Sequence, residues 1–480
     1  METIVNLARN LALGLLAGGL SSAGAAEYQV IDLGTLGGDH SAAFGVNDLG
    51  WVVGSAQDAD GRLQAFVWRD GAMAGLGFLP GGTSSVATAI NNHGEIAGRA
   101  DASPTNFHAF RHAGGALVDL GTLGGVNSQA RAINDAGAIA GSSQLATNSP
   151  NATVNESFLW ITSRFAHVHS FPDYNSCDAF GINQDGLICG NTFVYSPYDR
   201  WWGFVWADDN GNFLHDFGEM RLLGSLGVKD SVGEMSAALD VNDVGQAVGW
   251  TCVTNRYYPR HAFLVTSAGG IWKRPNPASN IDPTNTLMRD LGVLGGPTNN
   301  SWARGVNNRS WVVGNADMPT GTNQAFLWRD GALRNLNDLI DPASDWVLTN
   351  ATAINLHGEI VGSGLHAGQS RAFLLRREGR ITGFDPLYVT NAVWVWTNGQ
   401  GAVVTQADVQ VVGQSLQWSG SWGTNVAAPG GYTVECSDSM RDPAWTPCDP
   451  AEQWPLALNA WTNDGFGAAS ARFFRVRARW

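Results

Sequence analysis

The chain has 480 residues, of which 60 are Gly and 20 Trp, while only 15% are charged. Hydrophobic residues make up 44%, enough for large cores, which excludes a disordered chain; 18 Pro and no three-residue Gly period exclude collagen. The net charge of −14 argues against nucleic acid and anionic membrane surfaces as partners.

Residues 1–26 read as a signal peptide. A short polar start carrying Glu2 and Arg9 precedes an apolar stretch, Leu11 to Leu20. The small-residue run Ser21 to Ala26 then suits cleavage after Ala25 or Ala26. The apolar stretch is too short and too rich in Gly to span a bilayer well. No later segment reaches the roughly 18 uninterrupted apolar residues of a membrane span, so none is expected in the mature chain. The expected location is outside the cytoplasm: secreted, cell-surface or periplasmic.

After the leader one unit recurs seven times. Its mark is a small residue or Asp, then Ile or Val, then Asn, at Asn47, Asn91, Asn134, Asn183, Asn242, Asn307 and Asn355. Gly follows seven residues later in every copy, from Gly54 to Gly362, and three residues later in six; the sixth copy has Ser310. Asn can accept a backbone hydrogen bond from two residues on, and Gly three residues on can take the left-handed conformation that closes a hairpin. Ser310 should therefore strain the sixth turn or change its type.

A second landmark lies 18 to 24 residues past each Asn: Phe66, Phe110, Phe158, Phe204, Phe263, Phe326 and Phe373. Trp68, Trp160, Trp206 and Trp328 stand two residues further, on the same face of a strand. A fourth apolar segment often ends in the phrase DLGTLGG, whole at Asp32 to Gly38 and Asp119 to Gly125. Each unit thus offers four short strands, and a lone four-stranded sheet cannot bury its own faces. Radial stacking buries them. The expected fold is all-β: a seven-bladed β-propeller over residues 27–385, with about 50 residues per four-stranded blade. Tyr28 to Leu33 is a fourth strand with no blade before it, whereas Arg380 to Phe384 is a weak one. Tyr28 to Leu33 should join blade seven and close the ring.

The phrases DLGTLGG, GVNDLGWVVG and AINDAGAIAG, with the triplets His108-Ala109-Phe110 and His261-Ala262-Phe263, resemble the bacterial extracellular HAF repeat. The resemblance covers about Tyr28 to Phe384. It implies an exported propeller-like array and supplies no catalytic residue. The triplet His is replaced by Gln64, Glu156, Trp202, Gln324 and Arg371 elsewhere, so a metal-binding ring of histidines is not available.

Residues 386–480 alternate apolar and polar stretches between Pro and Gly, which reads as a small β-sandwich accessory domain. YTVECSDSMRDPAWTPC and ARFFRVRARW resemble fibronectin-type-III-like tails of bacterial secreted proteins. Cys436 and Cys448 are candidates for a disulfide across a turn, worth about 3 kcal/mol. Cys177, Cys189 and Cys252 cannot all pair within one chain.

No nucleophile elbow, zincin helix, P-loop or long calcium loop is present, so no metal, cofactor or catalytic residue is assigned. The repeated Asn, Gly, Phe and Trp read as scaffold. The breaks in the repeat are the candidate binding residues: Tyr195, Tyr198, Arg200, Trp201 and Trp202 in blade four, and Arg256, Tyr257, Tyr258 and His261 in blade five. Flat aromatics beside charged groups suit sugar rings or a protein hot spot, and loop packing remains the plain alternative. The functional expectation is a non-catalytic binding or structural module for an extracellular polysaccharide or protein, acting as a monomer. The alternative is a polysaccharide lyase or glycosidase with its site at the propeller mouth.

Overall fold

The computed structural model describes residues 26–377 apart from 147–153, 162–163, 169–175, 195–199, 210, 212–215, 217–218, 227–234, 254–258, 268–284 and 286. Beyond 377 it describes the backbone of nine short strands. The chain divides into two compact units, Met1–Glu378 and Gly379–Trp480.

The first unit is a seven-bladed propeller of four-stranded antiparallel sheets. Blade one shows the plan: Gly37–Val46, Val52–Asp58, Leu63–Arg69 and Ala72–Gly77 pair in chain order. The first strands of the other blades are Ser85–Ile90, Gly124–Ile133, Ser176–Ile182, Ser236–Val241, Ser301–Val306 and Trp346–Ile354. Each first strand adjoins the first strands of the blades on either side, so these seven strands surround the axis.

Blade seven takes its fourth strand from the start of the chain. Tyr28–Asp32 pairs with Gln369–Arg377, with Val30 opposite Leu375. The closure expected from the unpaired segment at Tyr28 is therefore present; Arg380 to Phe384 lie outside the described residues. Glu27 reinforces the seam. Its carboxylate pairs with the buried Arg329 guanidinium of blade six, and its N–H donates to the Leu339 carbonyl.

The hydrophobic core lies between blades, as it must when each sheet needs cover on both faces. Phe66 and Trp68 of blade one pack with Val361, Ala372 and Leu374 of blade seven. Val53 and Ala65 point the other way, into the core with blade two. All seven repeat Phe side chains are fully buried. Each lies opposite the repeat Gly of the neighbouring strand, as in Gly54 opposite Phe66 and Gly362 opposite Phe373. A Cβ on Gly54 would stand 2.0 Å from the Ala42 carbonyl oxygen and 2.8 Å from the Phe66 ring. The Gly is required because the ring and the inner strand occupy the space of a side chain.

The N-x-x-G turns match their sequence reading. Asn47 Oδ1 accepts from the Leu49 and Trp51 N–H groups, and Gly50 has φ of 72°. In the sixth copy Ser310 keeps the same turn at φ of 60°, and its hydroxyl bonds to Gln246 Oε1 of the preceding blade at 2.9 Å.

In the second unit the strands form two larger sheets, one running Val389–Ala392, Ala407–Val412, Ser415–Ser419 and Ala460–Thr462, the other joining Thr446–Pro447, Tyr432–Ser437 and Phe473–Ala478. The side chains of Cys436 and Cys448 lie outside the described residues.

Candidate functional site

The axis carries two kinds of position. One is invariant. Each repeat Asn donates its side-chain amide to the backbone carbonyl of the next repeat Asn: Asn47 to Asn91, and so on to Asn307, which donates to Asn355. Asn355 donates to Asn47 and closes the ring. A second ring lies one residue on. The N–H groups of Asp48, Asn92, Asp135, Gln184 and Asp243 each donate to the side chain one blade ahead, ending on Asn308. Leu356, which has no acceptor, interrupts it, though its own N–H donates to Asp48.

The other axial position is variable. Three residues before each Asn the inner strand carries a β-bulge, so one residue drops out of the ladder. The bulged residues are Phe44, Thr88, Arg131, Phe180, Leu239, Arg304 and Thr352. Because the Asn ring sets all blades at one height, they form one layer around the axis. Three of them reach the next blade. Thr88 and Thr352 donate to the Ala130 and Ala43 carbonyls of the following blades, and the Arg131 guanidinium lies 5.2 Å from the Phe180 ring centroid.

Two acids flank this layer. Two residues before Asn, six blades place Gly or Ala, but blade five places Asp240. Its Oδ2 accepts the Val306 N–H at 2.8 Å. Burial pushes its carboxyl up to about 7, Asp243 adding to the rise and the Val306 and Val241 N–H groups opposing it. Asp178 of blade four is also raised, by burial first, against a hydrogen bond from Ser142 and the charge of Arg131. Arg131 is lowered by burial, which Asp178 opposes and Arg99 reinforces. Arg304 is lowered by burial alone. It is nevertheless exposed, although it sits mid-strand with a blade on each side. Its Nε donates to Asn315 Oδ1 at 2.7 Å.

The repeat histidines are scaffold. His108 Nδ1 lies 2.8 Å from Asp119 Oδ2, the Asp of DLGTLGG, and His261 stands likewise to Asp290. In blade three the pair is inverted, Glu156 meeting His167 at 3.2 Å. In blade six it is neutral, Asn335 donating to Gln324 at 2.9 Å. Among the described residues no three His, Cys, Asp or Glu group as metal ligands would.

The family model described as Protein of unknown function (DUF3466) matches residues 170–415, from blade four into the tail. The chain belongs to this family. No curated protein matches it. Among solved structures, the β-propeller domain of the Trilobed protease from Pyrococcus furiosus is similar over 72% of this chain and 99% of that one, at 11% identity and a TM-score of 0.44. A gluconolactonase from Xanthomonas campestris covers 74% and 93%, at 10% identity and a TM-score of 0.33. A lectin from Aleuria aurantia covers 62% and 94%, at 12% identity and a TM-score of 0.32. A protease domain, a lactonase and a lectin assign no activity to the DUF3466 chain.

Of the nine binding candidates read from the sequence, Tyr195, Tyr198, Arg256, Tyr257 and Tyr258 lie outside the described residues, as does the side chain of Arg200. Trp201 and Trp202 are adjacent on one strand and so face opposite ways. Trp201 meets the Phe193 ring at 4.6 Å beside Met235 and Cys252, while Trp202 packs against the core between blades three and four. They form no common stacking platform. His261 is buried and held by Asp290. Cys177, Cys189 and Cys252 are all buried and none forms a disulfide; burial pushes the Cys177 thiol up to about 12 and that of Cys252 to about 11, which disfavours the reactive thiolate.

Sequence reasoning missed two sets of residues. Six before each Asn stands a hydroxyl or thiol: Ser41, Ser85, Ser128, Cys177, Ser236, Ser301 and Thr349. Ser301 Oγ accepts the Ala262 N–H and donates to the Gly292 carbonyl, both in the preceding blade, each at about 2.8 Å. Ser41, Ser85 and Ser128 do the same. The fixed spacing from Asn was the available signal. The bulge layer has no such signal, because its residues share no chemistry.

Proposed function

We propose that this chain is an exported, non-catalytic repeat protein that binds an extracellular polymer or protein at the propeller axis. One observation carries this reading. The recurring polar groups are satisfied within the scaffold, whereas unlike groups gather on the axial wall of blades three to six: Arg131, Asp178, Phe180, Asp240 and Arg304. A site needs unlike groups in one place, and a scaffold needs like groups at each blade. The proposal includes the signal peptide at 1–26, membership of the HAF repeat group, a monomeric state, and a fibronectin-like sandwich for residues 386–480 as an accessory domain. The aromatic loops of blades four and five would extend the binding surface.

The test is capture of purified Glu27–Trp480 by insoluble and immobilised polysaccharides, with soluble sugar products assayed in the same tubes. Retention without new reducing ends supports a binding module. A second reading, a polysaccharide-active hydrolase or lyase, is favoured by two acids, Asp178 and Asp240, on adjoining inner strands, the first of them interacting with Arg131. Release of products that stops in Asp178→Asn or Asp240→Asn would establish it instead.

A further inference from the structure

The axial layer carries cations whose charge the neighbouring acids offset only in part. Arg131 and Arg304 are both bulge residues at one height, on blades three and six. Arg131 Nε is buried without a hydrogen-bond partner among the described residues, and its guanidinium is spread over Phe180. Arg304 is exposed on the inner strand of blade six, and its Nε donates to Asn315 of the same blade. A third cation, Arg99, adds positive charge beside Arg131. The acids nearby offset them only in part: the charge of Asp178 acts on Arg131, against that of Arg99, and burial alone acts on Arg304. Asp178 is engaged by Ser142, and Asp240 accepts from the backbone of blades five and six.

Leaving guanidiniums short of counter-charge away from bulk water is costly, and a fork of N–H donors matches a flat oxyanion. In a chain of net charge −14 this local excess of cations runs against the overall sign. We propose that the axial opening binds a ligand bearing an oxyanion (carboxylate, sulfate or phosphate) through the Arg131 and Arg304 guanidiniums. Phe180 and Phe44 in the same layer add apolar surface for the body of such a ligand. The inference rests on the axial binding reading and names its ligand class.

The experiment is calorimetric titration of the full mature chain with four probes: a galacturonate trimer, a sulfated galactose trimer, neutral galactotriose and inorganic phosphate. Wild type is compared with Arg131→Met and Arg304→Met. At least one charged probe should bind about tenfold or more tighter than the neutral trimer, lose about tenfold in each variant, and weaken as salt rises. Which charged probe binds separates the sugar acid, the sulfate ester and free phosphate. Equal binding of charged and neutral probes, no binding of any charged probe, or full affinity in Arg304→Met overturns the inference. Arg304 is exposed, so its variant decides the matter even where Arg131→Met fails to fold. Neutral polymer captured equally by all three proteins overturns the oxyanion inference and leaves the binding module standing. Arginine-dependent anion binding with release of products does the reverse.

Discussion

The Asn355 side-chain amide donates to the Asn47 carbonyl at 3.0 Å, joining two residues far apart in sequence and completing a seven-membered ring of the same bond. Asn355 Oδ1 also accepts the His357 and Glu359 N–H groups. One side chain therefore builds its own hairpin and locks it to the next blade. Asn355→Ala strips partners from buried backbone groups and should destabilise the propeller by about 3 kcal/mol. Denaturant unfolding of the first unit reads this directly, and a loss below about 1 kcal/mol would reduce the ring to a packing coincidence.

The second ring predicts a gain. Leu356 offers no acceptor to the Asn308 N–H, where the other blades supply Asp, Asn or Gln. Leu356→Asn should complete the ring and stabilise by about 0.5–1 kcal/mol. An unchanged or lowered unfolding midpoint would mean that the Leu side chain contributes more by packing than the missing bond would add.

Cys177 stands where five blades place Ser. Ser157 Oγ donates to its Sγ at 3.1 Å, in place of the stapling bonds that Ser301 makes. Cys177→Ser should be neutral or stabilising, because it restores the repeat chemistry at a site where burial keeps the thiol protonated. Ser301→Ala should cost about 1–3 kcal/mol, since it leaves the Ala262 N–H and the Gly292 carbonyl unpaired. Comparing the two midpoints separates loss of the staple from a general intolerance of change at this position.

Ser310 holds a left-handed conformation at φ of 60°, where its six counterparts are Gly, and it compensates with a bond to Gln246. Ser310→Gly relieves the strain and loses the bond, so the net change should stay within about 0.5 kcal/mol. Ser310→Ala keeps the strain and loses the bond, and should cost about 1 kcal/mol. If alanine were the better tolerated, the backbone strain would not be there.

Asp240 predicts a pH dependence. Its carboxyl is raised from 3.8 to about 7 in the folded chain. Between those values the folded state holds a proton that the unfolded state has released. The stability from this group is therefore full below about pH 4 and falls as pH rises toward 7. Asp240→Asn should flatten the stability profile over that window and stand above wild type at pH 8. A parallel profile for the variant would mean that Asp240 titrates normally.

The repeat was legible because it is made by local rules. Asn47 bonds to its own hairpin, Gly50 turns it, and Gly54 lies under Phe66, so each blade writes the same letters at the same spacing. Blade count, strand order and the return of Tyr28–Asp32 to blade seven followed from that regularity. The scaffold role of the repeat Asn was also readable, although its second task, bonding across to the next blade, was not.

The candidate site was only partly legible. The blade-four aromatics were picked out because they break the repeat; of these, Trp201 and Trp202 are neighbours on one strand, which sends them to opposite faces and into two different cores. Arg131 and Arg304 drew no attention, because nothing local marks a residue three before an Asn. By itself, the sequence determined the blade: turn, strand length and the Phe that each blade buries. Only the tertiary structure decided what faces the axis, because closing seven blades brings residues of unrelated chemistry to one height around an opening that no single blade contains.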